Sequence, residues 1–333
     1  MKAAIVGAKI LSGPEMSTLA LEELIQRACA MALADAGLTI RDIDQVAIAS
    51  SDGLDGRAIS SMVTSGSVGG YRKSITNSSS SGEHALALGA LQIMAGRSKL
   101  CLVANWAKPS ESPMDEVDRL NMDPFFYRPL PLSRDVLIDL QMHAMTAAAG
   151  NAAAHLGARG ATKSSDGAVV LILADEETAR SRGKPYSLLT GFGWACDSYW
   201  RGGQELAELP SLAKAARRAY RMAAIDDPAK AIDFLEAMDF TPVHLLMICR
   251  ALGLCAPDRL SEFARSLADG KTGISINPSG GLKTRDYDFA SGLAAVAHTH
   301  LRLTQGGKKS RGLAHAASAN AAQANSVFVL EAA

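Results

Sequence analysis

The sequence has no net charge and no long apolar run, and these two absences exclude several classes of partner. Lysine and arginine together number 34, and aspartate and glutamate also number 34. Because nucleic acids and anionic membranes favour proteins with an excess of positive charge, the overall balance supports neither partner. No apolar run reaches the roughly 18 residues that a membrane-spanning helix needs, so we expect no membrane span.

Several familiar motifs are also missing. The five cysteines are scattered without a Cys-x-x-Cys pair, and no histidine–cysteine cluster has metal-ligand spacing. These absences argue against a disulfide framework and a metal centre. The glycine-rich segments contain neither Gly-x-Gly-x-x-Gly nor a P-loop, which argues against nucleotide binding. Since the opening segment MKAAIVGAKI predicts a buried strand and not a signal peptide, we expect a cytoplasmic protein with reduced thiols.

The pattern that is present is an order of helices and strands that occurs twice. A length of 333 residues predicts about two domains, or one duplicated domain. Three kinds of segment recur: a helix followed by a strand (21–51 and 209–240), a Ser-Gly pair that opens an apolar helix before a strand (81–104 and 291–314), and a buried strand (168–173 and 327–330). Such alternation predicts parallel βαβ units in a layered α/β protein. The repeated order indicates an internal duplication, although α/β proteins without one also alternate.

A surplus segment interrupts the first repeat at about 106–165. It contains five prolines and then an alanine-rich helical pattern at 137–156. Insertions of this kind usually lie over a binding face, and the alternative is a surface excursion that only completes an interface. Its basic residues are Lys108, Arg128 and Arg134. They either bind the phosphate groups of a ligand or are simply solvated.

The most specific string is Asn277-Pro278-Ser279-Gly280-Gly281, which runs into a helix of small residues. With the Ser81-Gly82 helix opening and the segments 35–38 and 166–170, it resembles the thiolase superfamily, nearest to the sterol-carrier-type thiolases. The resemblance implies a thiolase fold, with duplicated βαβαβ halves in a five-layered α-β-α-β-α arrangement. The halves would span 1–180, including the insertion, and 181–333. Family members act on C–C bonds of acyl-CoA substrates and are normally dimers, so we expect a homodimer.

The resemblance places Ser79 where working thiolases carry a nucleophilic cysteine at the start of a buried helix. The N–H groups and the dipole of such a helix favour negative charge, which would stabilise an oxyanion there. A serine hydroxyl is a weak nucleophile without a nearby base. Ser79 is therefore a candidate catalytic residue whose simpler role is to cap the helix, and we do not expect a seryl acyl-enzyme.

Three further positions depart from the family pattern. Met238 stands where relatives have an oxyanion-binding histidine, and methionine cannot transfer protons. Tyr287 replaces the histidine that activates the cysteine; a neutral phenol is a poor base but can donate a hydrogen bond to an oxygen that gains charge. His315 is the histidine that remains in the matching C-terminal loop, and we predict it as the titrating catalytic residue. The alternatives are a packed aromatic residue for Tyr287 and a structural histidine for His315.

The same resemblance assigns substrate binding to the C-terminal loop and to one residue beside the Ser81-Gly82 helix opening. The residues so assigned are Asn277, Ser279, Gly280, Gly281 and His84. The loop also has a structural use, because glycines shape the backbone at the edge of a sheet. The chain is shorter than a typical thiolase at about 154–166, where relatives cover the CoA, which leaves CoA binding open.

The departures favour a reaction without a cysteine. Thiolase-like proteins of steroid side-chain breakdown cleave β-hydroxyacyl-CoA by a retro-aldol reaction, which needs a base for the hydroxyl proton and donors for the enolate. We expect a lyase of this type or a divergent acyltransferase, with no tightly bound cofactor and a CoA thioester as substrate. Such relatives work with a small OB-fold partner protein, often with a zinc ribbon. The alternative is a non-catalytic subunit that pairs with an active thiolase homologue or a small partner.

Overall fold

The computed structural model describes residues 2–79, 81–157, 164–200, 202, 205–285, 288–306, 310–318 and 320–333 of the chain. The strands are β1 (Ala3–Ser12), β2 (Gln45–Ala49), β3 (Ser74–Ser78), β4 (Leu100–Ala107), β5 (Gly167–Asp175), β6 (Ser187–Cys196), β7 (Phe234–Glu236), β8 (Ser275–Ile276), β9 (Arg311–Ser318) and β10 (Ala324–Ala332). The helices are α1 (Leu21–Ala36), α2 (Asp52–Asp55), α3 (Ser60–Ser67), α4 (Gly82–Met94), α5 (Met114–Leu120), α6 (Arg134–Ala149), α7 (Glu176–Ser181), α8 (Pro210–Met222), α9 (Pro228–Ala231), α10 (Pro242–Ala251), α11 (Leu260–Ala268), α12 (Leu282–Arg285) and α13 (Ser291–Gln305).

The strands form one mixed sheet in which the same strand order occurs twice. The order across the sheet is β3-β2-β4-β5-β1-β6-β10-β9-β7-β8. Counted from its own edge, each set of five has the same pattern, because β6 to β10 take the places of β1 to β5. Three residue pairs between β1 and β6 join the two sets: Ala3 with Leu189, Ala4 with Leu188, and Ile5 with Ser187. The predicted duplication is confirmed, and the sets are called the N-terminal half (β1–β5) and the C-terminal half (β6–β10) below.

The strand directions differ from the parallel units that the sequence pattern predicts. β2 is parallel to β3 and β4, and β7 is parallel to β8 and β9. β5 and β10 run antiparallel to their neighbours. The connection before each of them leaves the sheet and re-enters it at the same end of the strands, so the chain reverses its direction. An apolar run shows that a strand is buried on both faces but carries no information about its direction. The predicted division between residues 180 and 181 lies in α7, which connects β5 to β6.

Alternate residues of the strands pack into different layers. In β5, Val169 packs in the cluster that contains α4 and α13, whereas Val170 packs with α1. In β10, Phe328 joins the cluster of α4 and α13, and Val327 packs with α8 and α10. Since α4 and α13 also contact each other, they form a central layer between the two halves of the sheet, and the layers follow the order helix, half-sheet, helix, half-sheet, helix. This order confirms the five-layered arrangement.

The inserted segment of the N-terminal half connects β4 to β5 and carries α5 and α6. A buried ion pair closes its base, with the Nζ of Lys108 2.8 Å from the Oδ2 of Asp166. Lys108 follows the last residue of β4 and Asp166 precedes the first residue of β5, where Ala107 pairs with Gly167. Burial raises the pKa of Asp166, but hydrogen bonds from Lys108 and Ser110 outweigh it and leave the pKa below its ordinary value. Lys108 therefore fixes the insertion and is not available to phosphates.

Two asparagines occupy equivalent places in the two halves. The Oδ1 of Asn77, near the end of β3, accepts a hydrogen bond from the backbone N–H of Ser50 at 3.1 Å. The Oδ1 of Asn277, just after β8, accepts one from the backbone N–H of Ala237 at 2.6 Å. Each bond ties the end of an edge strand to the backbone that follows its neighbour, β2 or β7. The loop 277–281 is therefore the structural counterpart of the loop that leads into α4.

Candidate active site

A cavity of about 640 Å³ lies where the N-termini of α4 and α13 meet the inserted segment. α4 contributes Ser81, Glu83 and His84 to its wall, and α13 contributes Gly292. The first turn of a helix has N–H groups without intrahelical partners and the positive end of the helix dipole. Two such ends in one cavity favour a negative charge on a bound group.

Ser79 and His84, which the sequence singled out, lie together on this wall. Ser79 is exposed in the loop before α4, and His84 stands in the first turn of the helix. The Oγ of Ser81 lies 3.2 Å from the Nδ1 of His84 and orients its ring. The residue at the N-cap position of α4 is Ser81, whose side chain makes no capping hydrogen bond, so Ser79 does not stand at the position from which a serine would cap this helix. The side chain of Ser79 is left facing the cavity.

Glu83 is a buried carboxylate in the cavity wall, which the sequence did not single out. The residue is 2% exposed, and its Oε2 has no hydrogen-bond partner among the residues that the structure describes. A Cβ added at Gly292 would lie 2.5 Å from this oxygen. Only glycine at this place in α13 leaves room for the carboxylate, which therefore lies where the two helix N-termini approach each other.

The inserted segment supplies a polar wall. Asp118, Asn121, Arg134 and Gln141 from this segment line the cavity. The Oε1 of Gln141 lies 3.0 Å from the Nε2 of His244, which is buried in α10. His244 thus positions a cavity residue from behind and does not line the cavity itself.

The C-terminal half supplies mainly apolar groups to the cavity. Met238, Phe240 and Phe289 line it together with Trp194 of β6. Met238, which stands where the family resemblance expects a histidine, accepts a hydrogen bond at its Sδ from the backbone N–H of Ala317 at 3.3 Å. The thioether is thereby held against β9 and offers no proton donor to a substrate.

His315, predicted as the titrating residue, is not among the residues that line the cavity. It is buried in β9, and its Nε2 lies 3.0 Å from the Oδ1 of Asn325 in β10. The Nδ2 of Asn325 donates to the Oγ of Ser211 in α8 at 2.8 Å. In this arrangement His315 belongs to a network that joins two strands and a helix, and the structure does not bring it together with Ser79 and His84.

The loop residues predicted to bind substrate, Asn277, Ser279, Gly280 and Gly281, are also not among the residues that line the cavity. The backbone N–H and the Oγ of Ser279 donate to the carboxylate of Glu236 at 3.0 and 2.6 Å. Gly281 has a φ of 64° and stands so close to the carboxylate of Asp239 that a Cβ would collide with it. These contacts fix the segment between β7 and α10, which carries Met238 and Phe240 to the cavity.

Tyr287 and its neighbour Asp286 lie outside the described residues, so the predicted role of Tyr287 stays a prediction. Phe289, which follows closely in the sequence, lines the cavity.

The cysteines separate into buried thiols and one cavity thiol. Burial raises the pKa of Cys29 and of Cys101 to about 12 and also raises the pKa of Cys249 and Cys255, so these thiols stay protonated at neutral pH. Cys196, at the end of β6, is exposed and lines the cavity. The described residues contain no cluster suited to a metal ion. None of their helices is both long and apolar enough to cross a membrane.

Sequence reasoning missed Glu83, Tyr199 and Cys196 on the cavity wall. Glu83 had a usable signal, because it is the one carboxylate in the otherwise apolar helix pattern that follows Ser81-Gly82. Tyr199 had no signal in the sequence. Its hydroxyl accepts a hydrogen bond from the backbone N–H of Asp123 in the insertion at 2.5 Å. Such a contact between distant segments exists only in the folded chain.

Comparison with known proteins is consistent with this geometry. Residues 200–331 match the family described as thiolase C-terminal domain-like. No curated protein sequence matches the chain. Among solved structures, the Ltp2-ChsH2(DUF35) aldolase is similar, with a TM-score of 0.73 and 17% sequence identity over 99% of this chain and 98% of that chain. These comparisons show that the chain has a thiolase-like fold.

Proposed function

We propose that the chain is a lyase that cleaves a C–C bond of a β-hydroxyacyl-CoA by a retro-aldol reaction, without a cysteine nucleophile. The observation that carries the proposal is the cavity at the N-terminus of α4, whose wall contains Ser79, Glu83 and His84. The sequence resemblance puts Ser79 at the position of the thiolase cysteine. The likeness in fold to the Ltp2-ChsH2(DUF35) aldolase supports it. Among thiolases, the sequence resembles the sterol-carrier type most.

The chemistry requires no group that the chain lacks. A base takes the proton of the β-hydroxyl group, the bond between Cα and Cβ breaks, and its electrons move to the thioester oxygen as an enolate. The carbonyl product leaves, and the enolate takes a proton at Cα to give a shortened acyl-CoA. The reaction therefore needs a proton-transfer group and stabilisation of one oxygen anion.

The two helix N-termini are suited to the second requirement. Residues at the starts of α4 and α13 line the cavity, and the positive ends of these helices favour the enolate oxygen over the neutral carbonyl. Tyr287, from the sequence pattern, is proposed as an additional hydrogen-bond donor to this oxygen. Leu54, Ile138, Trp194 and Phe240 make part of the wall apolar, which suits an apolar acyl group.

A protein partner is part of the proposal. Phe125 and Phe126 in the inserted segment and Trp200 beside it are 80%, 67% and 50% exposed, and Phe126 meets Trp200 edge to face with ring centroids 5.8 Å apart. Adjoining exposed aromatic side chains are common where another protein docks. We therefore propose that a small OB-fold or zinc-ribbon protein, or a thiolase homologue, covers this face and completes the enzyme.

The test is a cleavage assay with the chain alone and with proteins encoded beside it. A panel of β-hydroxyacyl-CoA thioesters is incubated with the protein, and the carbonyl product and the shortened acyl-CoA are measured by mass spectrometry. We expect equal amounts of both products and no acyl group on the intact protein. Cys196→Ser should cleave as well as the unsubstituted chain, because no thiolate takes part.

Two results would contradict the proposal. An acyl adduct on Ser79 or Cys196 would indicate covalent acyl transfer. The absence of cleavage for every thioester, with and without partners, would favour the alternative of a non-catalytic thiolase-like subunit.

A further inference from the structure

Glu83 occupies a place where an ionisable side chain is costly to the fold. It is 2% exposed, and its Oε2 has no hydrogen-bond partner in the part of the chain that the structure describes. A buried polar group without a partner destabilises a protein, so such a group calls for an explanation. Because Glu83 also lines the cavity, a substrate bound there can supply the missing partner.

The equivalent position in the duplicated half indicates that the fold itself does not require a carboxylate. α4 and α13 both follow a Ser-Gly pair, and the residue that corresponds to Glu83 in α13 is Leu293, which is fully buried. An apolar side chain therefore satisfies the packing at this place in the helix. The carboxylate in α4 is a departure from that pattern and points to chemistry.

Gly292 makes room for this carboxylate. A Cβ at Gly292 would lie 2.5 Å from the Oε2 of Glu83 and 2.7 Å from the Cβ of Ala316. The carboxylate thus lies between the N-termini of α4 and α13, where both helix dipoles favour negative charge. It is also almost excluded from solvent, which is a suitable environment for proton transfer to a bound substrate.

We propose that Glu83 is the proton-transfer residue of the lyase, an inference that rests on the retro-aldol function proposed above. One carboxylate oxygen accepts the proton of the β-hydroxyl group as the bond between Cα and Cβ breaks. The resulting carboxylic acid then returns the same proton to Cα of the enolate. Glu83 ends in its starting state, so the step balances without a metal ion, an oxidant or a further base. Gly292 acts as a positioning residue, because it sets where the carboxylate lies.

The test compares Glu83→Gln and Glu83→Asp with the unsubstituted chain in complex with its partner. Two reactions are followed: cleavage of the active β-hydroxyacyl-CoA, and exchange of the α-protons of butanoyl-CoA in deuterated water. General acid–base groups typically contribute about 100- to 10,000-fold to a rate, so Glu83→Gln should lower kcat of both reactions by at least about 100-fold with KM little changed. Glu83→Asp should recover part of the activity.

Thermal unfolding separates catalysis from structure. Glutamine has nearly the shape of glutamate, so Glu83→Gln should leave the packing around α4 intact and change Tm little. A large drop in Tm together with the loss of activity would assign Glu83 a structural role and overturn the inference. Cleavage by Glu83→Gln within about threefold of the unsubstituted rate, far less than a general base contributes, would also overturn it and leave the lyase function intact.

Gly292→Ala provides a second and independent test. The added methyl group should displace the carboxylate and lower kcat while Glu83 is present. In the Glu83→Gln background the same substitution should have much less effect on kcat, because residues that act through each other are not additive. Equal effects in both backgrounds would contradict the positioning role. If the unsubstituted chain neither cleaves nor exchanges, the lyase function fails and the role of Glu83 fails with it.

Discussion

The two central helices begin with the same Ser-Gly pair and continue differently. α4 continues with Glu83 and His84, whereas α13 continues with Leu293 and Ala294. Both helices direct their N-termini to one cavity, so both favour negative charge there. The helix of the N-terminal half adds ionisable side chains, and the helix of the C-terminal half adds the space at Gly292 that one of them occupies. In a duplicated fold, the two copies of one helix can thus take different roles in a shared site.

The connections between the last two strands of each half show the same division. In the N-terminal half, the segment from β4 to β5 contains α5 and α6 and gives the cavity most of its charged and amide groups. In the C-terminal half, β9 ends at Ser318 and β10 begins at Ala324. The short connection brings apolar residues such as Ala321 to the wall. The difference shows that an insertion in one half can supply most polar groups of a shared site while the other half supplies mainly its apolar wall.

The largest expected effect concerns the buried ion pair at the base of the insertion. Asp166→Asn leaves the ammonium of Lys108 buried without its main partner, and breaking such a pair costs about 3–5 kcal/mol in the free energy of unfolding. Glu111, 3.6 Å from Lys108, should keep the loss near the lower end of this range. Urea denaturation measures the loss.

The matched control for Asp166→Asn is Glu331→Gln in the C-terminal half. Arg311 and Glu331 are 2.7 Å apart, but their side chains are about 30% exposed. The loss should be about 1 kcal/mol or less, because solvent screens an exposed pair. Equal losses for the two variants would show that the base of the insertion has no special part in stability.

The second effect should be a pH dependence of the free energy of unfolding that is caused by a histidine of α13. His300 is buried there beside the Oγ of Ser187 at 2.8 Å, whereas the corresponding residue of α4 is Ala90. Burial lowers the pKa of His300 from 6.5 to about 4. As the pH falls below 6.5, the unfolded chain takes up a proton that the folded chain refuses, so the free energy of unfolding falls between pH 6.5 and pH 4, by about 3 kcal/mol in full.

His300→Gln isolates this contribution, because glutamine can bond Ser187 but does not titrate. Unfolding curves at several pH values should show a smaller loss below pH 6.5 for His300→Gln than for the unsubstituted chain. The control is His143→Gln, a substitution at an exposed histidine. This variant should show the same pH dependence of unfolding as the unsubstituted chain. If both variants follow the pH dependence of the unsubstituted chain, burial of His300 has no measurable effect on stability.

The smallest expected effect is the difference in the free energy of unfolding between variants of the equivalent asparagines Asn77 and Asn277. Asn77→Ala removes the two hydrogen bonds that the Oδ1 of this exposed residue accepts from the N–H and the Oγ of Ser50, which should together cost about 1 kcal/mol. Asn277→Ala removes the shorter bond and also places alanine at a φ of 46°, which adds a further loss because asparagine tolerates this left-handed region better than alanine does. Asn277→Gly should lie between the two, since glycine adopts this backbone freely. Equal losses for both alanine variants would show that the left-handed backbone at Asn277 adds nothing to the stability difference between the two loops.

Much of the fold could be predicted from the sequence because its determinants are local. The apolar runs at 168–173 and 327–330 appear as β5 and β10, and the Ser-Gly pairs open α4 and α13. The helical patterns from 21 and 209 appear as α1 and α8. Each copy of a duplication keeps its own helix and strand periodicity, so each half supports the secondary structure predicted for the other.

The site could be predicted only in part. Ser79 and His84 reach the cavity, because they adjoin a helix start that the sequence marks clearly. His315 and the loop 277–281 lie elsewhere in the described structure, because a match to a family string gives a position along the chain and not the direction in which a side chain points. Whether Tyr287 takes part stays a prediction.

By itself, the sequence determined a doubled α/β chain and a helix start without a cysteine, because periodicity, glycine placement and residue type are properties of short segments. Only the tertiary structure decided that two helix N-termini share one cavity, that Gly292 leaves space for the carboxylate of Glu83, and that His315 turns towards Asn325. These facts depend on contacts between residues far apart along the chain, and such contacts form only when the layers pack.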